Sequence, residues 1–171
     1  MAKSDKELIG KNIKLLRNAA GLSQHDLSTL IDISKRTIAN IESGKTRHSL
    51  DVLDEILSFF NCDLEDIRSK EVVVPIDFRE QLIAYHARNK TLSNLLTKSP
   101  TIVYAIEFKL LKSDFLDSPK EIGQIKLFFE KLGWQYSGPS ISNALSRRNE
   151  LIEIRKHESK GNTNVYLRRV M

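Results

Sequence analysis

The tightest constraint on this chain is the punctuation between residues 21 and 44. Gly21 stops what precedes it, Ser23 opens SQHDLSTLID with Asp26 three residues on, Ser34 opens SKRTIANIESG, and Gly44 ends that segment. A serine in the N-cap position accepts a backbone N–H of the first turn. A carboxylate three residues later lies near the positive end of the helix dipole, and glycine relaxes the exit. The spacing therefore predicts two short helices in succession with a tight turn between them, the second turning Ile38 and Ile41 inward.

Both neighbours of this pair are amphipathic. Residues 6–19 place Leu8, Ile9, Ile13, Leu15 and Leu16 largely on one helical face. Residues 49–60 repeat the pattern at Leu50, Val52, Leu53, Ile56, Leu57 and Phe60, and NCDLEDI turns into a short last helix. Residues 1–70 thus read as a compact bundle of about five helices. The rhythm breaks in SKEVVVPIDF, where β-branched residues and Pro75 predict a linker over residues 71–77. Residues 78–171 form the second domain, with helical patterns over 78–97 and 100–113. Further helices start at Ser118-Pro119 and Gly138-Pro139, and a hairpin, LIEIRKHESKGNTNVYLRRV, turns around Gly161-Asn162.

Charge is unevenly spread. The chain has 171 residues and a formal net charge of +5, yet residues 1–70 hold eleven basic and eleven acidic side chains and are neutral. The excess lies in the second domain, and from residue 147 onward seven basic residues face three acidic ones. This suits a polyanionic partner. Cys62 is the lone cysteine, so an internal disulfide is excluded, and no metal-ligand spacing surrounds it. No apolar run approaches the length of a bilayer span, and the expectation is a soluble, cytoplasmic protein with no membrane contact. His25, His48, His86 and His157 are scattered, and no glycine-rich loop or carboxylate pair stands at a telling spacing. No catalytic residue, metal or cofactor is expected.

Residues 9–48 resemble the Cro/phage-repressor (Xre-type) helix-turn-helix family, and LSQHDLSTLIDISKRTIANIESGKTRHS follows its pattern without a gap. The resemblance implies that Gln24 contacts a DNA phosphate and braces the recognition helix. It places base reading on Lys35, Arg36 and Asn40, with Ser34 and Thr37 beside them. Phosphate contacts after that helix fall on Lys45, Thr46 and Arg47. It also implies a structural pair between Arg17 and Glu42. Two positions depart from the pattern: His25 stands where relatives carry a small residue, and Asp32 stands in the turn where glycine is common.

The later order of helix, capped helix and basic ribbon resembles, more loosely, a winged helix. The resemblance implies a recognition helix in PSISNALSRRNE, with Ser140, Ser142, Asn143, Ser146 and Arg147 outward. It implies a wing carrying Arg155, Lys156, Lys160, Arg168 and Arg169. Relatives have an apolar residue where Arg148 stands and a glycine before the first wing strand. The expected fold is mostly α, a five-helix helix-turn-helix bundle followed by an α+β winged-helix-like domain.

Two functions remain open at this stage. One is a sequence-specific transcriptional regulator reading double-stranded DNA in the major groove, as a homodimer because one recognition helix covers a half-site. The other is an antitoxin or similar module, whose C-terminal domain grips a protein partner while the first domain regulates its own operon.

Overall fold

In the computed structural model, which describes residues 5–45 and 49–169, the chain opens with α1 (Asp5–Ala19). Its first turn carries Asp5 and Glu7 and its last turn Arg17, charges that complement the helix dipole. The chain divides into two compact units, Met1–Lys98 and Ser99–Met171.

In the first unit α2 (Gln24–Leu30) starts from a reciprocal cap: Asp26 N donates to Ser23 Oγ at 3.0 Å and Ser23 N to the Asp26 carboxylate at 2.8 Å. Asp32 makes the turn at φ 53°. Ser34 then caps α3 (Lys35–Glu42) by accepting from Thr37 N. Next come α4 (Leu50–Phe60), closed by Asn61 in the left-handed conformation, and α5 (Leu64–Ser69). Ile13, Leu16, Leu27, Ile38, Ile41, Ile56 and Ile67 meet in one buried cluster. Leu50, expected in that core, is exposed, whereas Phe59 is buried. Helical side chains lean toward the N-terminus, so the first residue of α4 projects past the end of the core.

The unit does not end at residue 70. Asn12 is fully buried; its amide donates to Ile67 O at 2.8 Å and Lys70 O at 2.7 Å, and its carbonyl oxygen accepts from Val72 N at 3.1 Å. The supposed linker is thereby laid along the bundle, with Val72 and Val74 half-buried and Val73 turned outward. The helix expected over 78–97 is two helices, α6 (Phe78–Tyr85) and α7 (Lys90–Leu96), because Asn89 breaks it and caps the second part. Leu82 and Leu96 enter the first core, and buried Arg79 donates to the carbonyls of Ala20, Leu96 and Lys98. The boundary expected at 71–77 therefore falls after Lys98.

The second unit begins with α8 (Ile102–Tyr104), which widens into a π-helical stretch over Ala105–Leu110, and a 3-10 turn at Phe115–Asp117. Then follow β1 (Lys120–Glu121), α9 (Ile122–Lys131), α10 (Gly138–Ser146), β2 (Ile152–Lys156) and β3 (Asn164–Arg168). The sheet is antiparallel in the order β1-β3-β2, with Tyr166 of β3 opposite Ile154 on one side and Lys120 on the other. The ribbon turns at Gly161-Asn162 as expected, with Thr163 N donating to Lys160 O at 3.0 Å, within a longer connection over residues 157–163 closed where His157 N donates to Thr163 O at 2.8 Å. Ile106, Leu110, Leu116, Ile125, Phe129, Ile141, Leu145, Ile152 and Tyr166 form its core. Trp134 and Tyr136 belong to it as well: Tyr136 meets Phe129 edge-on at 5.2 Å and donates to Pro100 O at 2.7 Å. Arg148, at an expected apolar position, folds back onto Glu107 at 2.7 Å. The fold is mostly α: a helix-turn-helix bundle followed by an α+β unit.

Candidate nucleic-acid interface

The face of α3 opposite Ile38 and Ile41 carries Arg36 and Asn40, one helical turn apart. Lys35 and Arg36 are exposed; Thr37 and Asn40 are half-buried at the helix flank. Ser34 and Thr37 spend their hydroxyls on the helix start, 2.8 Å from each other. Lys45 is exposed just past Gly44, while Thr46 and Arg47 lie outside the described residues.

What holds this helix is a chain of charge-assisted bonds. Arg17 grips Glu42 with two parallel donors, Nε to Oε1 at 2.5 Å and Nη2 to Oε2 at 2.9 Å, and its Nη1 donates to Leu22 O at 2.7 Å. Both side chains are nearly buried, at 9% and 3% exposure. Gln24, the first residue of α2, donates from Nε2 to Glu42 Oε2 at 2.9 Å. The amide has a second N–H, so Gln24 can brace α3 and still donate outward.

Two glycines complete the support. A Cβ at Gly10 would stand 2.2 Å from Ile41 O, so α1 and α3 approach at a point where no side chain fits. Gly44 has φ +63° and sits against the backbone of Glu7, with 2.9 Å between a built Cβ and Glu7 Cα. Gly44 is legible in the sequence as a helix stop, whereas Gly10 carries only the general signal of close packing that a glycine inside a helical pattern gives.

In the second unit the expected contact residues separate. Asn143, Ser146 and Arg147 are exposed on α10, opposite buried Ile141, Ala144 and Leu145. Ser140 engages Ser137 at the cap, at 2.8 Å between hydroxyls, and Ser142 turns to Tyr166 Oη at 2.8 Å. Lys160 donates to Glu121 at 2.5 Å, Arg155 pairs with Glu153 at 2.7 Å, and Arg168 pairs with Asp117 at 3.1 Å. The Lys160 hydrogen bond, aided by the charges of Lys160 and His157, holds the Glu121 carboxyl below its ordinary range. Arg169 donates to the Asn149 carbonyl at 3.0 Å, and Lys156 has no carboxylate partner among the described residues.

The other reactive groups have structural settings. His86 stacks on Phe59 at 5.0 Å and its Nε2 lies 2.8 Å from Phe59 O. Burial, with Asp66 and Asp63 adding to it, pushes the Cys62 thiol up to about 11, so it is protonated and a weak nucleophile at neutral pH. Among the described residues no helix is long and apolar enough to cross a membrane.

Known proteins resemble part of this chain. The antitoxin PezA of Streptococcus pneumoniae serotype 4 is 28% identical over 92 residues, 53% of this chain and 58% of its own length. The competence pilus inhibition repressor of Acinetobacter baylyi is 32% identical over 59 residues, 34% of this chain and 54% of its own. This chain thus spans little more than half the length of either. An uncharacterized helix-turn-helix-type transcriptional regulator of Methanocaldococcus jannaschii is 38% identical over 55 residues, 32% of this chain and 83% of its own. No solved structure matches at a significant level. The helix-turn-helix family pattern matches residues 13–67, a span that holds α2, the Asp32 turn, α3 and the Arg17–Glu42 brace. On this match and the likeness to the Methanocaldococcus regulator, the chain belongs to the helix-turn-helix family.

Proposed function

We propose that the protein is a transcriptional regulator that binds specific double-stranded DNA by laying α3 in the major groove. The observation that carries this reading is the outward pair Arg36 and Asn40 on a helix fixed from behind by Glu42, Arg17 and Gln24. Arginine donates in bidentate fashion to guanine O6 and N7, and asparagine to and from adenine N6 and N7. Lys35 flanks them, Ser34 and Thr37 line the entry, and Gln24, Lys45, Thr46 and Arg47 supply phosphate contacts that set register. One such helix covers a half-site, so the reading takes the protein as a homodimer on a two-fold operator. No catalytic step is required of it.

Random-sequence duplex selection with the full chain at fixed salt tests this. Arg36→Ala is expected to weaken binding to the selected site by about 1–3 kcal/mol and to relax one base position in each half-site. Unchanged preference would remove Arg36 from the reading set.

One observation favours a second reading, an antitoxin that also regulates its own operon. The likeness to the antitoxin extends over 92 residues, well beyond the span of the family pattern at 13–67. In that case the full chain, expressed with its genomic neighbours, co-purifies with one of them in fixed stoichiometry. A homogeneous homo-oligomer would count against it.

A further inference from the structure

We propose that the first unit carries a small-molecule site, a cleft beside α2 suited to a zwitterion with a planar apolar side chain, the chemical class of an aromatic amino acid. The inference goes beyond the DNA reading and does not depend on it.

The cleft has a volume of about 480 Å³ and lies between the end of α2, one side of α4 and the corner where α6 passes into α7. That size falls among clefts that hold small ligands, and such clefts are mainly apolar with a few placed polar groups. Here the floor is apolar: Leu30 and Ile31 at the end of α2 and Leu92 of α7 are half-buried and pack against the first core. The aromatic wall is fixed. His86 stacks on Phe59 with ring centroids 5.0 Å apart and 19° between planes, and its Nε2 donates to Phe59 O at 2.8 Å. Tyr85 stands edge-on to His86 at 4.8 Å and is 53% exposed, a large ring left open at the mouth of the cleft. A ring held in this way offers a face or an edge to a second ring.

Two charges of opposite sign line the same cleft. Glu55 of α4 and Arg88 after α6 are exposed, and among the described residues neither pairs with the other or with a third charge. The neighbouring Asn89 spends its carbonyl oxygen on the backbone N–H groups of Thr91 and Leu92, which leaves its NH2 to donate.

One ligand carrying a carboxylate and an ammonium answers all of these groups. Arg88 binds a carboxylate in bidentate fashion with Asn89 beside it, and Glu55 accepts from an ammonium. Charges of both signs around an apolar floor favour such a molecule over a lone acid or a lone amine, each of which leaves one charge unanswered. The cleft ends one residue before Asp32, so an occupant touches the end of α2 from which the turn to α3 starts.

The probe that tests this is L-phenylalanine, titrated into the isotope-labelled full chain and followed by amide NMR. Saturable shifts centred on Ile31, Ser58, His86 and Leu92 are expected, with a dissociation constant of about 1 mM or tighter, as a ligand of this size allows. Hydrocinnamate, which lacks the ammonium, and phenethylamine, which lacks the carboxylate, should each bind about tenfold more weakly, the worth of one charge-assisted hydrogen bond. Arg88→Gln is expected to remove the preference for L-phenylalanine over phenethylamine, and Glu55→Gln the preference over hydrocinnamate. Both residues are exposed, and equal melting temperatures confirm that the variants fold. No saturable shift up to about 10 mM probe, equal binding of the three molecules, or preferences that survive both substitutions would each overturn the proposal and return Glu55 and Arg88 to ordinary solvated charges. DNA enters none of these measurements, so their outcome stands apart from that of the DNA reading.

Discussion

Glu42 is the residue on which the first unit turns. It accepts from Arg17 twice and from Gln24 once while only 3% of its side chain meets solvent. Removing one member of such a pair leaves the other charge buried and uncompensated, so Glu42→Ala is expected to lower unfolding stability by about 3–5 kcal/mol in urea titration. A loss under about 1 kcal/mol would mean that the pair behaves like an exposed one. Arg36 is the opposite case: exposed, without structural duty among the bonds described, and therefore expected to change binding while leaving stability untouched.

At the scale of elements, the α2–α3 turn holds a small reserve of strain. Asp32 adopts φ 53°, a conformation that costs an L-residue about 1–2 kcal/mol and glycine little, while glycine loses about 0.5–1 kcal/mol of chain entropy. Asp32→Gly should therefore raise stability by up to about 1 kcal/mol, read as a higher midpoint of thermal unfolding with DNA affinity retained. A fall in the midpoint would show that the aspartate side chain contributes more than its backbone costs. This turn was legible in the sequence because its signals are local: Ser23 with Asp26, Ser34, and Gly44 each act within a few residues. The helical face that joins Arg36 to Asn40 was legible for the same reason. What stayed hidden depends on partners far along the chain. Gly10 needs Ile41, Asn12 needs Ile67 and Lys70, and Arg79 needs Ala20. β1 is two residues long and exists only through β3, too short to show any alternation. Lys160 and Arg168 read as free cations because Glu121 and Asp117, which hold them, lie tens of residues away.

For the whole molecule, the division after Lys98 changes what counts as a self-sufficient piece. A fragment of residues 1–98 should unfold cooperatively, whereas residues 1–70 lose the Arg79 bonds and buried Leu82 and Leu96, and should melt well below it. Burying a leucine is worth about 1.5–3 kcal/mol, so the shorter fragment is expected to forfeit a large part of a small domain's margin. Equal melting of the two by circular dichroism would restore the boundary at residue 70. The same architecture sets an order in time. During translation α3 is finished at Glu42, but Asn12 waits for Val72, and Arg79 must reach back to Ala20 and forward to Lys98. A nascent chain therefore carries a complete α3 long before the body that steadies it has left the ribosome. A prematurely released product ending between those points would present that helix on an unlocked bundle, a natural substrate for proteolysis rather than a competitor for DNA.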